Sequence, residues 1–266
     1  MNIVIKYGGN AMVNEDLKRS VLENIAQLSE AGHKVVMVHG GGPFINAILE
    51  KVQLSSEFIG GHRKTTPEAM KYIEMALKGE VNTSLVALMN AIGKKAVGLS
   101  GKDGGMIKVK KRFHMDGDKE IDLGQVGDVS SVDPSVILDL LDKDYIPIIA
   151  CVAADENGMS YNINADMMAG AIAGALNAKY VVMTDVDGIR MDKDDPDTLI
   201  KKLKNSEVAP LMDKVIVGGM IPKIESCQIA LESGAEESMI INGTTKDELV
   251  DVILNGKSTG TIITKK

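Results

Sequence analysis

Short, continuously apolar runs alternate with helical patterns along the whole chain, which predicts an α/β protein. The expected architecture is a three-layer αβα sandwich around one mostly parallel central sheet, with β-hairpin excursions. Three observations carry this. The runs Ile3–Ile5, Val35–Val38, Ala96–Leu99, Ile146–Ala150, Val181–Met183, Met239–Ile241 and Thr261–Ile263 are apolar at nearly every position, as strands covered on both faces must be. Helical periodicity falls between them, near residues 14–31, 43–52, 67–92, 134–144, 165–177, 222–233 and 245–254. Residues 101–129 and 53–66 break the pattern, with Gly, Asp and alternating stretches and no helical period, and read as hairpins.

The segments after the strands are as telling as the strands themselves. After the first comes Lys6-Tyr7-Gly8-Gly9-Asn10, and after the second His39-Gly40-Gly41-Gly42. Ser100-Gly101-Lys102-Asp103, Asp155-Glu156-Asn157-Gly158, Thr184-Asp185-Val186-Asp187-Gly188 and Asn242-Gly243-Thr244 come after later runs. Glycine and polar residues thus crowd one end of the strands, and open α/β sheets bind ligands beyond their carboxyl edge.

Composition narrows the partners. A net charge of −7 does not suit a protein that grips a nucleic-acid backbone. Trp is absent, with three Phe and five Tyr, so stacking platforms for single strands are not expected either. The basic run Lys108–Arg112 reads as a solvated hairpin. No apolar run approaches the roughly 18–20 residues that span a bilayer, and Met1–Gly9 lacks the features of a signal peptide. No membrane association is expected, and the expected location is cytoplasmic. Cys151 and Cys227 have no zinc or redox spacing, and the four histidines have no ligand spacing, so no protein-held metal is expected.

Each candidate residue has a plain structural reading beside a chemical one. Gly8-Gly9 and Gly40-Gly41-Gly42 are tight turns, yet glycine loops opening helices also let bare backbone amides approach an anion. Lys6 ends an apolar strand on the face of Val4; it either reaches solvent past the sheet edge or neutralises a transferring phosphoryl group. Lys223 comes just after Pro222 at a helix start, where the dipole disfavours a cation unless an anion joins it. Asp166 lies two residues beyond the cap residue Asn164 and either complements a helix dipole or holds the two lysines.

Taken together these stretches resemble the amino acid kinase family, and within it the branch acting on N-acetyl-L-glutamate. The resemblance runs the length of the chain. Its carriers are Lys6-Tyr7-Gly8-Gly9-Asn10-Ala11-Met12, Val38-His39-Gly40-Gly41-Gly42-Pro43, Gly61-His62-Arg63-Lys64-Thr65, Gly98 to Gly104, Asn162-Ile163-Asn164-Ala165-Asp166, Thr184 to Gly188 and Gly218 to Lys223. The resemblance implies the amino acid kinase fold, with an amino-acid lobe over residues 1–157 and a nucleotide lobe over 158–266 sharing one sheet. It implies catalytic roles for Lys6, Lys223 and Asp166, the carboxylate organising both lysines. Gly41, Gly42, Arg63 and Asn162 would hold the acceptor. Gly8, Gly9, Asp185, Val186, Asp187, Gly188, Ile189, Arg190, Val215, Ile216 and Val217 would surround the nucleotide.

The implied reaction is transfer of the γ-phosphoryl group of ATP, with Mg²⁺ carried on the nucleotide, to the γ-carboxylate of N-acetyl-L-glutamate, in arginine biosynthesis. Two other readings stay open: a kinase for a longer acid such as acetylaminoadipate, and a catalytically silent nucleotide-binding regulator. Lys64, beside Arg63, departs from the apolar residue common in relatives. The stripe Met70, Ile73, Leu77, Val81, Leu85 and Leu88, together with the resemblance, predicts a helix-mediated homodimer. With the first strand beginning at Asn2, no helix precedes it, and insensitivity to arginine is expected.

Overall fold

A computed structural model describes residues 1–266, apart from the side chains of Asn10 and Ala11, two members of the first glycine motif. The strands are β1 (Asn2–Tyr7), β2 (Lys34–His39), β3 (Phe58–Ile59), β4 (His62–Arg63), β5 (Ala96–Ser100), β6 (Ile107–Asp116), β7 (Lys119–Val132), β8 (Ile146–Ala150), β9 (Val152–Ala154), β10 (Ser160–Ile163), β11 (Lys179–Thr184), β12 (Lys202–Lys204), β13 (Glu237–Asn242) and β14 (Thr261–Thr264). The α-helices are α1 (Glu15–Glu30), α2 (Gly42–Lys51), α3 (Pro67–Glu74), α4 (Thr83–Ala91), α5 (Ser135–Asp142), α6 (Ala165–Ala175), α7 (Ile221–Glu232) and α8 (Glu248–Ile253). Among the described residues no helix is long and apolar enough to cross a membrane.

The main sheet runs β12-β14-β13-β11-β1-β2-β8-β5 and is parallel except where β13 meets β14. All seven expected strands lie in it. β1 sits between β2 and β11 and is buried on both faces: Val4 joins one core cluster, Ile3 and Ile5 the other. Helices α2, α3, α5, α6 and α7 cover the first face, and α1, α4 and α8 the second. The hairpin β6–β7 closes a small barrel with β9 and β10, and β3–β4 forms a separate short hairpin. Asp155–Gly158 is the turn joining β9 to β10, not a loop at the carboxyl edge of the main sheet. β12 has a single buried apolar residue, Leu203, between two lysines, too little to register as an apolar run.

The segment expected as one helix over 67–92 is α3 and α4 joined by a π-helical stretch, Met75–Asn82. The wider turn swings the apolar stripe from one face of the sheet to the other: Leu77 packs in the first cluster, Val81 and Leu85 in the second. Met70, Ile73, Leu77, Val81 and Leu85 are all buried in this chain's own core, with Leu88 packed against it. The stripe therefore leaves no apolar excess for a partner, which corrects the ground on which the dimer was expected.

Candidate active site

Three candidate charges gather where β1, α6 and α7 meet. Lys6, the penultimate residue of β1, has its Nζ 3.1 Å from Asp166 Oδ1, and both side chains are only 10 % exposed. Asn164 caps α6, its side-chain oxygen accepting from the amides of Asp166 and Met167, so the carboxylate is fixed in the first helical turn. Lys223 stands in the first turn of α7, half-buried, and its Nζ donates to Gly219 O at 3.1 Å. Asp166 meets the two lysines unequally: Lys6 is paired with it directly, whereas Lys223 feels it at longer range. Burial pushes the Lys223 amine below the ordinary lysine range; Asp166 and Asp185 pull it back up and Lys6 pushes it further down.

Small residues set this spacing. A Cβ on Gly170 would lie 2.4 Å from the Ser226 carbonyl oxygen, so α6 and α7 touch backbone to backbone. Across that contact runs a polar strap that the sequence reading missed. The Tyr180 hydroxyl on β11 is 3.0 Å from Asp166 O and 3.1 Å from Ser226 Oγ, and Ser226 Oγ is 2.7 Å from Lys223 O. Two hydroxyl protons serve three contacts, linking the turn of Asp166 to that of Lys223. The signal was a tyrosine inside an apolar strand, whose hydroxyl must find a partner when buried.

Over these charges lies a cavity of about 300 Å³ lined by Lys6, Gly8, Gly9, Thr184, Asp185, Lys223 and Thr244. A side chain at Gly8 would sit 3.1 Å from Lys6 Nζ, so glycine there keeps the amine accessible. Asp185 also lines a neighbouring cavity of about 320 Å³, with Val186, Asp187, Gly188, Ile189, Arg190, Val215 and Val217. Asn242 and then Arg190 hold the Asp187 carboxyl below its usual range. Ile216 does not line this cavity: its side chain is wholly buried, its amide donates to Leu211 O, and its carbonyl accepts from the Asp213 amide.

The acceptor candidates form a second cluster. The Arg63 guanidinium, on β4, donates to Asn46 Oδ1 on α2 at 2.6 Å and to the Ser56 hydroxyl, and stacks on Phe58 at 4.6 Å. Asn162 Nδ2 is 3.4 Å from Thr65 Oγ1, which donates to Arg63 O at 2.9 Å. Arg63 and Asn162 are therefore linked through Thr65, and Asn46 ties Arg63 to the helix that Gly41 and Gly42 open. A gap of about 920 Å³ separates the two hairpins, at Gly61, His62 and Arg112, from α6 and α7 at Asn164, Gly219 and Ile221. Among the described residues no three His, Cys, Asp or Glu side chains group as metal ligands would.

The model of the amino acid kinase family matches residues 1–242. The chain belongs to the amino acid kinase family. Within it, the chain is 45 % identical over 270 residues to a protein of Heliobacterium modesticaldum named acetylglutamate kinase, covering 99 % of this chain and 92 % of that one. A Methanococcus aeolicus protein of the same name is 44 % identical over 269 residues, at the same coverage of both chains. Among solved structures, a Streptococcus mutans protein superposes with a TM-score of 0.79 at 32 % identity, over 100 % of this chain and 99 % of that one.

The depressed Lys223 amine has a kinetic consequence in a family kinase. If the ammonium form is the active one, kcat/KM for ATP falls on the alkaline side at lower pH than an ordinary lysine, with a pKa of about 10.4, would give. Bound phosphates favour the ammonium, so the alkaline limb of kcat lies at higher pH than that of kcat/KM. Full pH–rate profiles check both; coincident limbs at the ordinary lysine value would contradict the assignment.

Proposed function

We propose that this protein transfers the γ-phosphoryl group of ATP to the γ-carboxylate of N-acetyl-L-glutamate, forming N-acetyl-L-glutamyl 5-phosphate in arginine biosynthesis. The observation that carries the reading is the placement of Lys6 and Lys223 against one cavity, with Asp166 paired to Lys6. That cavity adjoins the Asp185–Arg190 cavity on one side. The acceptor candidates Gly41, Gly42, Arg63 and Asn162 make up the other binding element. The 42–45 % identity to proteins named acetylglutamate kinase supports this acceptor.

The chemistry rests on charge. A carboxylate acceptor is already ionised at neutral pH, so no general base is required. The difficulty is to bring two anions together in line, and Lys6 and Lys223 present two ammonium groups to the same cavity for that purpose, with Asp166 paired to Lys6 and Asp185 near Lys223. Lys6 and Lys223 stabilise the charge that shifts onto the transferring oxygens, and Asp166 keeps Lys6 aimed. Gly8 and Gly9 receive the nucleotide's phosphates, and Val186 and Val217, 44 % and 52 % exposed, offer apolar surface to its base. Arg63 trades Ser56 and Asn46 for a bidentate grip on the α-carboxylate. Mg²⁺ carried on the nucleotide would neutralise phosphate charge, and the Asp185 carboxylate with the Thr184 and Thr244 hydroxyls would be the oxygen donors available to hold it. Residues 1–157 then serve as the acceptor lobe and 158–266 as the nucleotide lobe.

The reading is tested by trapping the acyl phosphate as a hydroxamate, with ATP and a panel of acids including the longer acetylaminoadipate. N-acetyl-L-glutamate is expected to give the highest kcat/KM. Lys6→Ala and Lys223→Ala are each expected to lower kcat by ~10²–10³, the usual loss for a preorganised transition-state donor, while the protein stays folded. Preference for another acid, or near-wild-type turnover in either variant, would refute it.

We extend the reading to a cytoplasmic homodimer. β5 is an outer strand of the sheet, and Met75 on the long helix is 58 % exposed, both features that a second copy would cover. Light scattering at micromolar concentration is expected to give twice the chain mass; a monomer would contradict it.

A further inference from the structure

The second glycine loop is built with care that its own residues do not explain. Gly40 N–H donates to Tyr7 O, and Gly41 C=O accepts from the Ile45 amide as α2 begins. The amides of Gly41 and Gly42 have no partner among the described residues, which leaves two donors for a ligand. A peptide between two glycines has little to stop it from turning over. Its orientation decides everything here, because carbonyl and N–H point in opposite directions across a trans peptide.

One side chain pins that peptide. His39 Nδ1 lies 2.8 Å from Gly40 O. The ring is wholly buried, and its other nitrogen, Nε2, is 3.0 Å from Asn82 Nδ2. The proton order is fixed by what surrounds Asn82. Its Nδ2 also donates to Ile148 O at 2.8 Å, and its Oδ1 accepts from Lys78 Nζ at 3.3 Å. With both amide protons used as donors, His39 Nε2 must accept, so Nδ1 carries the proton and donates to Gly40 O. Burial holds the ring neutral, its pKa pushed down to about 4.

The surroundings are shaped around this chain of bonds. Asn82 ends the π-helical stretch, and a Cβ at Gly98 would come within 2.2 Å of its Oδ1, so β5 carries glycine where the amide passes. The same stretch lies under the loop: a Cβ on Gly41 would meet Leu77 Cδ2 at 2.6 Å and Val81 Cγ2 at 3.4 Å. A π turn that buries Leu77, Val81 and Asn82 at this point, holding a fully satisfied amide, fits a functional placement better than a packing accident.

We propose that His39 and Asn82 are positioning residues for the acceptor, locking the Gly40–Gly41 peptide so that the Gly41 amide, with Gly42, faces a carboxylate. The proposal rests on the reading that this loop holds the acceptor acid. Neither side chain touches substrate; both act through the backbone they hold.

Calorimetry of N-acetyl-L-glutamate and of ATP, on wild type, His39→Leu and His39→Asn, tests it. His39→Leu is expected to raise the Kd for the acid by roughly tenfold, about one ordinary hydrogen bond, and to leave ATP affinity unchanged. His39→Asn, whose amide can donate from the place of Nδ1, should recover most of that loss. Equal weakening of both ligands, unchanged affinity for the acid, or no recovery in the asparagine variant would overturn the proposal. Should His39→Leu fail to fold, ¹⁵N imidazole shifts of the wild type decide: a neutral, Nδ1-protonated His39 at neutral pH is expected, and an Nε2–H tautomer or an imidazolium overturns it. If the wild type does not bind N-acetyl-L-glutamate, the acceptor reading falls, and the tautomer measurement still decides whether the clamp exists.

Discussion

The ion pair between Lys6 and Asp166 is the constraint around which the rest is arranged. At 3.1 Å and with both side chains 10 % exposed, neither charge can stand alone, since breaking a buried pair leaves one charge uncompensated at a cost of ~3–5 kcal/mol. The pair joins the end of the central strand to the start of α6. It therefore welds the sheet to the helix layer at the edge where the ligand cavities lie. A third charge, on Lys223, makes no ion pair among the described residues and feels Asp166 and Asp185 only at longer range. Burial, opposed by Asp166 and Asp185, holds the Lys223 amine below the ordinary lysine range, and a bound anion would raise it.

Holding three charges this close needs small residues and bound hydroxyls. Gly170 lets α7 approach α6, a Cβ on Gly174 would lie 2.3 Å from Ser233 Cβ, and Tyr180 with Ser226 ties the two helix starts together. Gly8 does the same on the cavity side of Lys6. The glycines on the acceptor side serve two purposes in the proposed reading: Gly41 leaves room for Leu77, and the amides of Gly41 and Gly42 are offered to the acceptor. A backbone free to turn must there be clamped from behind by groups that never see substrate.

Much of this was legible in the sequence because it is a matter of local pattern. The strands of the central sheet are nearly continuous apolar runs, and runs such as Val35–Val38 admit little else. Lys6, Asp166 and Lys223 stood out because each is a charge at the end of an apolar element. What could not be read was which of them meet. That Lys223 bonds to Gly219 O rather than to Asp166 depends on how far apart α6 and α7 stand, and no local signal encodes that distance. Tyr180 and Asn82 go unnamed in the sequence reading, and His39 enters it only as part of a glycine motif, because their partners lie on other elements, 46 residues away for Tyr180 and Ser226 and 43 for His39 and Asn82. The apolar stripe of the long helix was read with a uniform period. The π-helical stretch breaks that period and spends the stripe on both faces of one chain.

The central claim is that the Lys6–Asp166–Lys223 cluster is matched to the charge of the transferring phosphoryl group rather than to ground-state ATP. The most direct measurement compares two affinities in wild type and Lys6→Met, a variant that keeps an unbranched side chain without the charge. One is for ATP; the other is for ADP with aluminium fluoride and N-acetyl-L-glutamate, a mimic of the group in flight. The account predicts that Lys6→Met weakens the mimic by about 10²-fold or more and ATP by far less, as interactions realised only in the transition state require. Equal weakening of both would mean that the cluster binds phosphate without favouring its transfer, and would contradict the account.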